Sequence, residues 1–184
     1  MNPDDEFGQW LSLLQEDEAF DVEVDHLDTG AIKELRRIHV EYGPIFGDSL
    51  RERLLALRFT HSQRALQLVL SDLPATAHWD ITPAVSLDAS FCVQGPGVVV
   101  HGREVFGIGF LDALVEIAAN VQADCIDEFH RVWPLCPRHR LGLKPAERNG
   151  TGVWLCGSGP HDVARIGEIK DARTKSDPIN ARER

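Results

Sequence analysis

The chain has 184 residues, of which 43% are hydrophobic and 26% are charged, and its formal net charge is −10 at pH 7. Such a chain can bury one good core and carry a small appended module. No apolar run approaches the ~18 residues of a membrane-spanning helix, and the first residues, MNPDDEFGQW, are acidic where a signal peptide is positively charged. We therefore expect a cytoplasmic protein, and the excess of Arg over Lys suggests a bacterium of high GC content.

Charge is unevenly distributed along the chain. Residues 1–28 contain ten acidic side chains and no Lys or Arg, whereas residues 131–184 contain 11 basic and 6 acidic side chains. An acidic body is therefore expected to carry a basic C-terminal module.

An amphipathic helix is predicted at the start of the chain, over residues 3–18, with Asn2 or Asp4 as its cap. Apolar side chains recur at helical spacing on one face of it: Phe7, Trp10, Leu11 and Leu14. This stripe has two interpretations, because it can pack on the chain's own domain or fill a groove in a partner protein. Alternating valines and acidic residues then predict a short edge strand or a loop over residues 21–28.

Further helices are predicted next. Thr29 opens a helix with an apolar stripe, Gly43-Pro44 ends it, and another helix begins after Asp48 and Ser49. Residues 62–73 fit either a helix or a strand, and the helix is the interpretation we favour.

Strand signals replace the helical ones between residues 81 and 106. Apolar and β-branched residues are interrupted there by Pro and Gly, and residues 98–100 are expected to pair with residues 104–106 as a hairpin. The longest helix is predicted at residues 109–131. Helices packed on a small antiparallel sheet make an α+β fold.

Two close pairs of metal-binding side chains follow this helix. Cys136 and His139 form a C-x2-H pair, and Cys156 and His161 form a C-x4-H pair. Thiolates and imidazoles from two short turns suit tetrahedral Zn²⁺, which would stabilise a small module by roughly 10–16 kcal/mol. The alternative is that both cysteines are ordinary buried thiols and the histidines lie on the surface. If His161, which follows a long glycine-rich turn, does not bind, either water takes the fourth position or the ion is absent.

The strands that bring these turns together are also predicted. Asn149-Gly150 is a strong hairpin-turn signal, and residues 163–169 supply a further extended segment. The chain is thereby divided into four parts: an acidic N-terminal helix or arm (1–28), an α+β body (29–131), a zinc-ribbon-like module (132–169) and a disordered basic tail (170–184).

The last third of the chain resembles a group of small bacterial proteins of uncharacterised activity. The resemblance is carried by Val121-Gln122, Trp133-Pro134-Leu135-Cys136-Pro137-Arg138-His139, Gly152-Val153-Trp154-Leu155-Cys156 and residues 163–169, in the pattern W-P-x-C-P-x-H…V-W-x-C…I-G. It implies a zinc-ribbon-like tail with ligands at Cys136, His139 and Cys156, in which the position of His161 is often not a ligand. It implies no activity.

No catalytic signature stands out elsewhere. Two acidic pairs lie four residues apart on the long helix, Asp112 with Glu116 and Asp124 with Glu128, a spacing that solvated helix faces produce constantly. Gly107-Ile108-Gly109 lies between a strand and a helix, but Asp112 takes the place of the third glycine of a dinucleotide-binding loop. A tight strand-to-helix connection is the better interpretation.

Two functions follow from these features. The first is a non-enzymatic adaptor with structural Zn²⁺ that binds another protein through the stripe of Phe7, Trp10, Leu11 and Leu14. The alternative is a nucleic-acid-binding protein that uses a basic face of the C-terminal module: Arg138, Arg140, Lys144, Arg148 and Arg165. The acidic body opposes this alternative by long-range repulsion. A third interpretation is an enzyme whose site is assembled from dispersed residues.

Overall fold

The computed structural model describes residues 2–17, 27–74, 85–92, 95–100 and 102–169. Within these residues the chain forms four helices and two antiparallel sheets of three strands each, which confirms the predicted α+β fold. Most of the strand or loop expected at residues 21–28, and the tail expected at residues 170–184, lie outside the described part.

The elements follow one another along the chain as helices, sheet, helix and sheet. The helices are α1 (Pro3–Leu14), α2 (Thr29–Tyr42), α3 (Gly47–Ser71) and α4 (Phe110–Asp127). The first sheet contains β1 (Val85–Cys92), β2 (Gly95–Val100) and β3 (Arg103–Glu104), and the second contains β4 (Leu143–Arg148), β5 (Thr151–Cys156) and β6 (His161–Arg165). No helix in these ranges is long and apolar enough to cross a lipid bilayer.

Side-chain caps and a glycine set the ends of the first two helices. Asn2 Oδ1 accepts the backbone N–H of Asp4 (3.2 Å) at the start of α1. This helix ends at Leu14, before the predicted end, because the acidic residues that follow are unfavourable at the negative end of the helix dipole. The Asp28 side chain caps α2, which ends at Gly43, where φ is 77°.

α3 is one continuous helix of 25 residues and the longest of the four described. The prediction that the longest helix lies at residues 109–131 is therefore wrong, because α4 there has 18 residues. α3 joins the helix predicted after Asp48 and Ser49 to residues 62–73, so the helix interpretation of that ambiguous stretch is confirmed. Residues 48–71 contain no Gly or Pro that would interrupt the helix. Its buried side chains face two separate apolar clusters, one at each half of the helix.

The first cluster lies between α1, α2 and the first half of α3. Its buried side chains are Phe7, Trp10, Leu14, Ala31, Leu35, Ile38, Leu50, Leu54 and Ile108, and Leu11 packs against them. Trp10 is 2% exposed, and its Nε1–H donates to the carbonyl oxygen of Ile45 (3.0 Å). Phe7, Trp10 and Leu14 are thus buried within the chain's own fold and Leu11 packs against them, as the first of the two interpretations of this stripe expects.

The second cluster lies between the rest of α3, α4 and both sheets. Its buried side chains are Ala65, Leu66, Val69, Val98, Val100, Val105, Ala113, Leu114, Ile117, Ala118, Val121, Cys125, Trp133, Cys136, Leu143, Trp154, Cys156 and Ile166. The C-terminal module (residues 132–169) therefore contributes to the same core as the body. The domain boundaries stay a prediction.

The second sheet determines where the last two predicted ligands lie. Asn149 and Gly150, with φ of 51° and 71°, form the left-handed turn that the Asn-Gly signal predicts. β4 pairs with β5 without a shift in register, and β5 pairs with β6 so that Cys156 lies opposite His161. Because register determines which side chains are neighbours, these two ligands meet at one end of the sheet.

Candidate metal centre

A tight turn between Trp133 and β4 presents Cys136 and His139. The Arg140 N–H donates to the carbonyl oxygen of Cys136 (2.9 Å), and the Cys136 N–H donates to the carbonyl oxygen of Leu141 (2.8 Å). Arg140 has a φ of 57°, so the chain reverses here. The reversal brings the Cys136 sulfur to 3.7 Å from His139 Nδ1.

The turn between β5 and β6 presents Cys156 and His161. His161 Nδ1 lies 2.7 Å from the carbonyl oxygen of Gly159. Because a carbonyl oxygen only accepts hydrogen bonds, this contact places the ring proton on Nδ1 and leaves the lone pair of Nε2 available to a metal. The hydrogen bond to the glycine-rich turn thus fixes the orientation of the His161 ring.

The two turns bring all four predicted ligands together. The Cys136 sulfur is 3.7 Å from His161 Nε2, and the Cys156 sulfur is 3.3 Å from His139 Nδ1. One ligand atom from each of the four residues lies within 4.8 Å of the others, so the group could hold a metal ion. Both cysteines are fully buried, whereas His139 is exposed and His161 is partly exposed.

The backbone around the first turn favours the thiolate form of Cys136. Burial by itself raises the pKa of this thiol, but hydrogen bonds from the backbone N–H groups of His139 and Arg138, together with the side chains of Cys156 and His161, lower the pKa to about 6. The thiolate is the form that binds metals. The first ligand turn therefore stabilises the thiolate that a metal cation requires, even without a bound ion.

Asp72, at the C-terminal end of α3, anchors the second sheet to the body. Its carboxylate is almost fully buried and accepts the Trp154 Nε1–H (2.7 Å) and the backbone N–H groups of Gly167 (2.6 Å) and Ile169 (2.7 Å). Sequence reasoning missed this residue, because nothing near Asp72 indicates a partner 82 residues further along the chain.

Gln122 of α4 holds the chain on both sides of the first ligand turn. Its Nε2 donates to the carbonyl oxygens of Trp133 (2.9 Å) and Leu143 (2.7 Å). Trp133 and Trp154 pack edge to face, with ring centroids 5.4 Å apart. The place of Gln122 in the pattern that carries the resemblance is the one signal of this role in the sequence.

A carboxylate cluster lies at the other end of α4. Side-chain oxygens of Asp28, Asp112 and Glu147 lie within 4.8 Å of one another. Glu116, the predicted neighbour of Asp112, instead accepts backbone N–H groups of residues 106–107 at 3.1 Å. Burial raises the pKa of Asp112 to about 7, and the nearby carboxylates of Asp28 and Glu147 add to this rise. Sequence reasoning missed the cluster because its members are far apart in the chain.

The other residues that the sequence offered as candidates for chemistry have structural roles. A side chain on Gly107 would place its Cβ 2.5 Å from the backbone nitrogen of Ala113, so the loop before α4 is the tight connection that we expected. Asp124 lies 3.5 Å from the Arg103 guanidinium. Burial raises the pKa of Cys125 to about 12, which makes this thiol a poor nucleophile at neutral pH.

The basic residues predicted to contact nucleic acid are all exposed: Arg138, Arg140, Lys144, Arg148 and Arg165. They are divided between two places. Arg138 and Arg140 lie in the first ligand turn, whereas the other three lie on β4 and β6. Arg148 forms an ion pair with Asp162 (3.5 Å), which reduces the positive charge of the sheet.

No protein-family model, curated protein or solved structure matches this chain. The fold and the Cys/His group are therefore inferred from the chain's own residues and geometry, without support from a related protein. The resemblance of the last third to small bacterial proteins stays a prediction.

Proposed function

We propose that this protein binds one structural Zn²⁺ per chain through Cys136, His139, Cys156 and His161, and that it acts by binding another protein. The observation that carries the proposal is the set of sulfur–nitrogen distances, 3.3–3.7 Å. Zn–S bonds of about 2.3 Å and Zn–N bonds of about 2.0–2.1 Å place neighbouring ligand atoms about 3.6 Å apart in a tetrahedron. The three sulfur–nitrogen distances fit that value.

The donor set favours zinc over the other common divalent ions. Two thiols and two imidazoles are soft and borderline ligands, whereas Mg²⁺ and Ca²⁺ take oxygen ligands. A tetrahedral set with two sulfurs and two nitrogens is typical of Zn²⁺.

The ligand count favours a structural ion over a catalytic one. A catalytic zinc keeps one position for water or substrate, whereas four protein ligands close the coordination sphere. The hydrogen bond from His161 Nδ1 to Gly159 supports His161 as the fourth ligand. The role of the metal would then be to join the first ligand turn to the end of the second sheet. A closed site takes no part in chemistry at the metal, which is consistent with the proposed role in binding another protein.

Elemental analysis tests the metal assignment. Protein purified in reducing buffer without added metal is expected to contain about one zinc per chain, as a closed structural site requires. After exchange into Co²⁺, the absorption spectrum should show the bands of a tetrahedral ion with thiolate ligands. Cys156→Ser should lower the zinc content strongly.

Cys125→Ala is the matched control, because Cys125 is also buried but lies on α4 outside the ligand group. This variant should retain its zinc. A zinc content near zero in fresh wild-type protein, or an equal loss of zinc in both variants, would contradict the proposal.

A further inference from the structure

We propose that the surface around the first ligand turn binds an acidic, apolar peptide segment of another protein. This proposal rests on the zinc site proposed above, because the metal would hold the turn in place. The surface, the turn patch, consists of Ile126, Val132, Leu135, Arg138, Arg140 and Leu141.

The apolar members of the turn patch are strongly exposed. The exposed fractions are 48% for Ile126, 56% for Val132, 47% for Leu135 and 50% for Leu141. These are four of the ten large hydrophobic residues that are exposed in the described part of the chain, and they fall within sixteen consecutive residues. Scattered exposed apolar residues need no explanation, but a group of them marks an interaction site.

Contacts around Gly142 bring Val132 and Leu135 together. Leu135 forms an antiparallel bridge with Gly142, and Leu141 precedes it in the chain. Val132 Cγ1 lies only 2.8 Å from the position that a Cβ on Gly142 would take, so the absence of a side chain lets Val132 lie across the bridge. Ile126 is one helical turn after Gln122, which holds Trp133, the neighbour of Val132.

Charge complementarity identifies the partner as acidic. Residues 129–146 contain four basic side chains and no Asp or Glu. Asp127 and Glu128 follow Ile126, and Asp127 forms an ion pair with Arg103 (3.2 Å). Arg138 and Arg140 are exposed within residues 129–146 and present planar guanidinium groups, which pair well with carboxylates. Apolar anchors flanked by two arginines therefore fit a peptide in which large apolar residues alternate with Asp or Glu.

The acidic body argues against nucleic acid or an anionic membrane as the occupant. Residues 1–130 have a formal net charge of −15. A long polyanion or a bilayer extends past the turn patch and faces this charge, whereas a short peptide interacts locally, within a Debye length of about 8 Å. The same acidic body would limit non-specific binding of other polyanions.

Selection from a phage-displayed library of random peptides tests the proposal on the zinc-loaded full chain. Enriched peptides should combine a net negative charge with at least two large apolar residues. Synthetic copies of these peptides should bind at least about tenfold more weakly to Leu135→Ser and to Arg138→Glu, as expected when an anchor is removed from the centre of an interface.

Two variants on α2 serve as matched controls, because Val40 and Lys33 are exposed there, away from the turn patch. Val40→Ser and Lys33→Glu make the same kinds of change and should leave peptide binding unaltered. Zinc content and circular dichroism are measured on every sample. Missing zinc contradicts the proposed function, whereas zinc-loaded, folded protein without the expected selection contradicts the turn patch.

Other occupants would also overturn the proposal. The proposal fails if the selected peptides are enriched in basic residues, or if the turn-patch variants do not weaken peptide binding. The proposal would also be overturned if the protein bound single-stranded DNA or phosphatidylserine-containing vesicles in place of acidic peptides and the patch variants weakened that binding. Dimerisation of the protein that Arg138→Glu abolishes would assign the surface to a second copy of the chain.

Discussion

At the scale of single residues, Asp72 and Asp112 show how the surroundings of a carboxylate decide its role. Asp72 is buried but accepts hydrogen bonds from three N–H donors, so it stabilises the contact between α3 and the second sheet. Asp112 is half-buried and faces Asp28 and Glu147, and its pKa rises to about 7. The same side chain is thus an anchor in one place and a source of repulsion in the other.

Asp112→Asn is expected to change how stability depends on pH. The pKa of Asp112 rises from 3.8 to about 7 on folding, so between these values the folded state binds more protons and stability falls as pH rises. Asp112→Asn lacks this loss of stability and should be more stable than wild type at pH 8. The expected difference in unfolding free energy is about 1–2 kcal/mol, because solvent screens the half-buried carboxyl group. The advantage should shrink towards pH 4.

Urea unfolding at both pH values measures this difference. Asp5→Asn removes an exposed carboxylate of α1 and retains the Asp112 cluster, so this control should not gain the advantage over wild type at pH 8. A wild-type protein that equals or exceeds Asp112→Asn in stability at pH 8 would refute the argument.

At the scale of elements, α1 illustrates why an amphipathic stripe is ambiguous in a sequence. Its apolar spacing predicts a buried face but does not say which surface covers it. In the fold, α2 and the first half of α3 cover it, and Trp10 gains a hydrogen bond to the Ile45 carbonyl. The helix therefore belongs to the core of the body.

Trp10→Ala should destabilise the isolated protein. Removing a fully buried indole and its hydrogen bond is expected to cost about 3–5 kcal/mol of unfolding free energy. Leu13→Ala, on the 47% exposed face of the same helix, should cost less than about 0.5 kcal/mol. Equal and small effects in denaturant titrations would return α1 to the role of a partner-binding arm.

At the scale of the whole molecule, one core joins α3 and α4 to both sheets. Cys136 and Cys156 belong to that core, and Asp72 and Gln122 connect the body to the chain on either side of the ligands. The proposed zinc site therefore lies at the edge of a shared core. Loss of the metal should therefore lower the stability of elements outside the two ligand turns.

Removal of zinc with a chelator under reducing conditions should increase hydrogen exchange in β5 and also in the second half of α4. Protection of α2 should change less, because α2 packs in the other apolar cluster. Hydrogen exchange followed by mass spectrometry measures all three elements in one sample. Increased exchange confined to residues 132–169 would show that the module folds apart from the body.

Local signals determined much of this protein. The Asn2 cap and Gly43 predict helix ends, Asn149-Gly150 predicts a hairpin, and the two Cys/His pairs predict the ligand group, because each depends on residues close together in the chain. Residues 62–73 of α3 fitted either a helix or a strand. Only the tertiary structure decided what covers α1, which partners Asp72 and Gln122 bind, and that Asp28, Asp112 and Glu147 meet. These contacts join distant segments, and their energies depend on burial and distance, which sequence spacing does not encode.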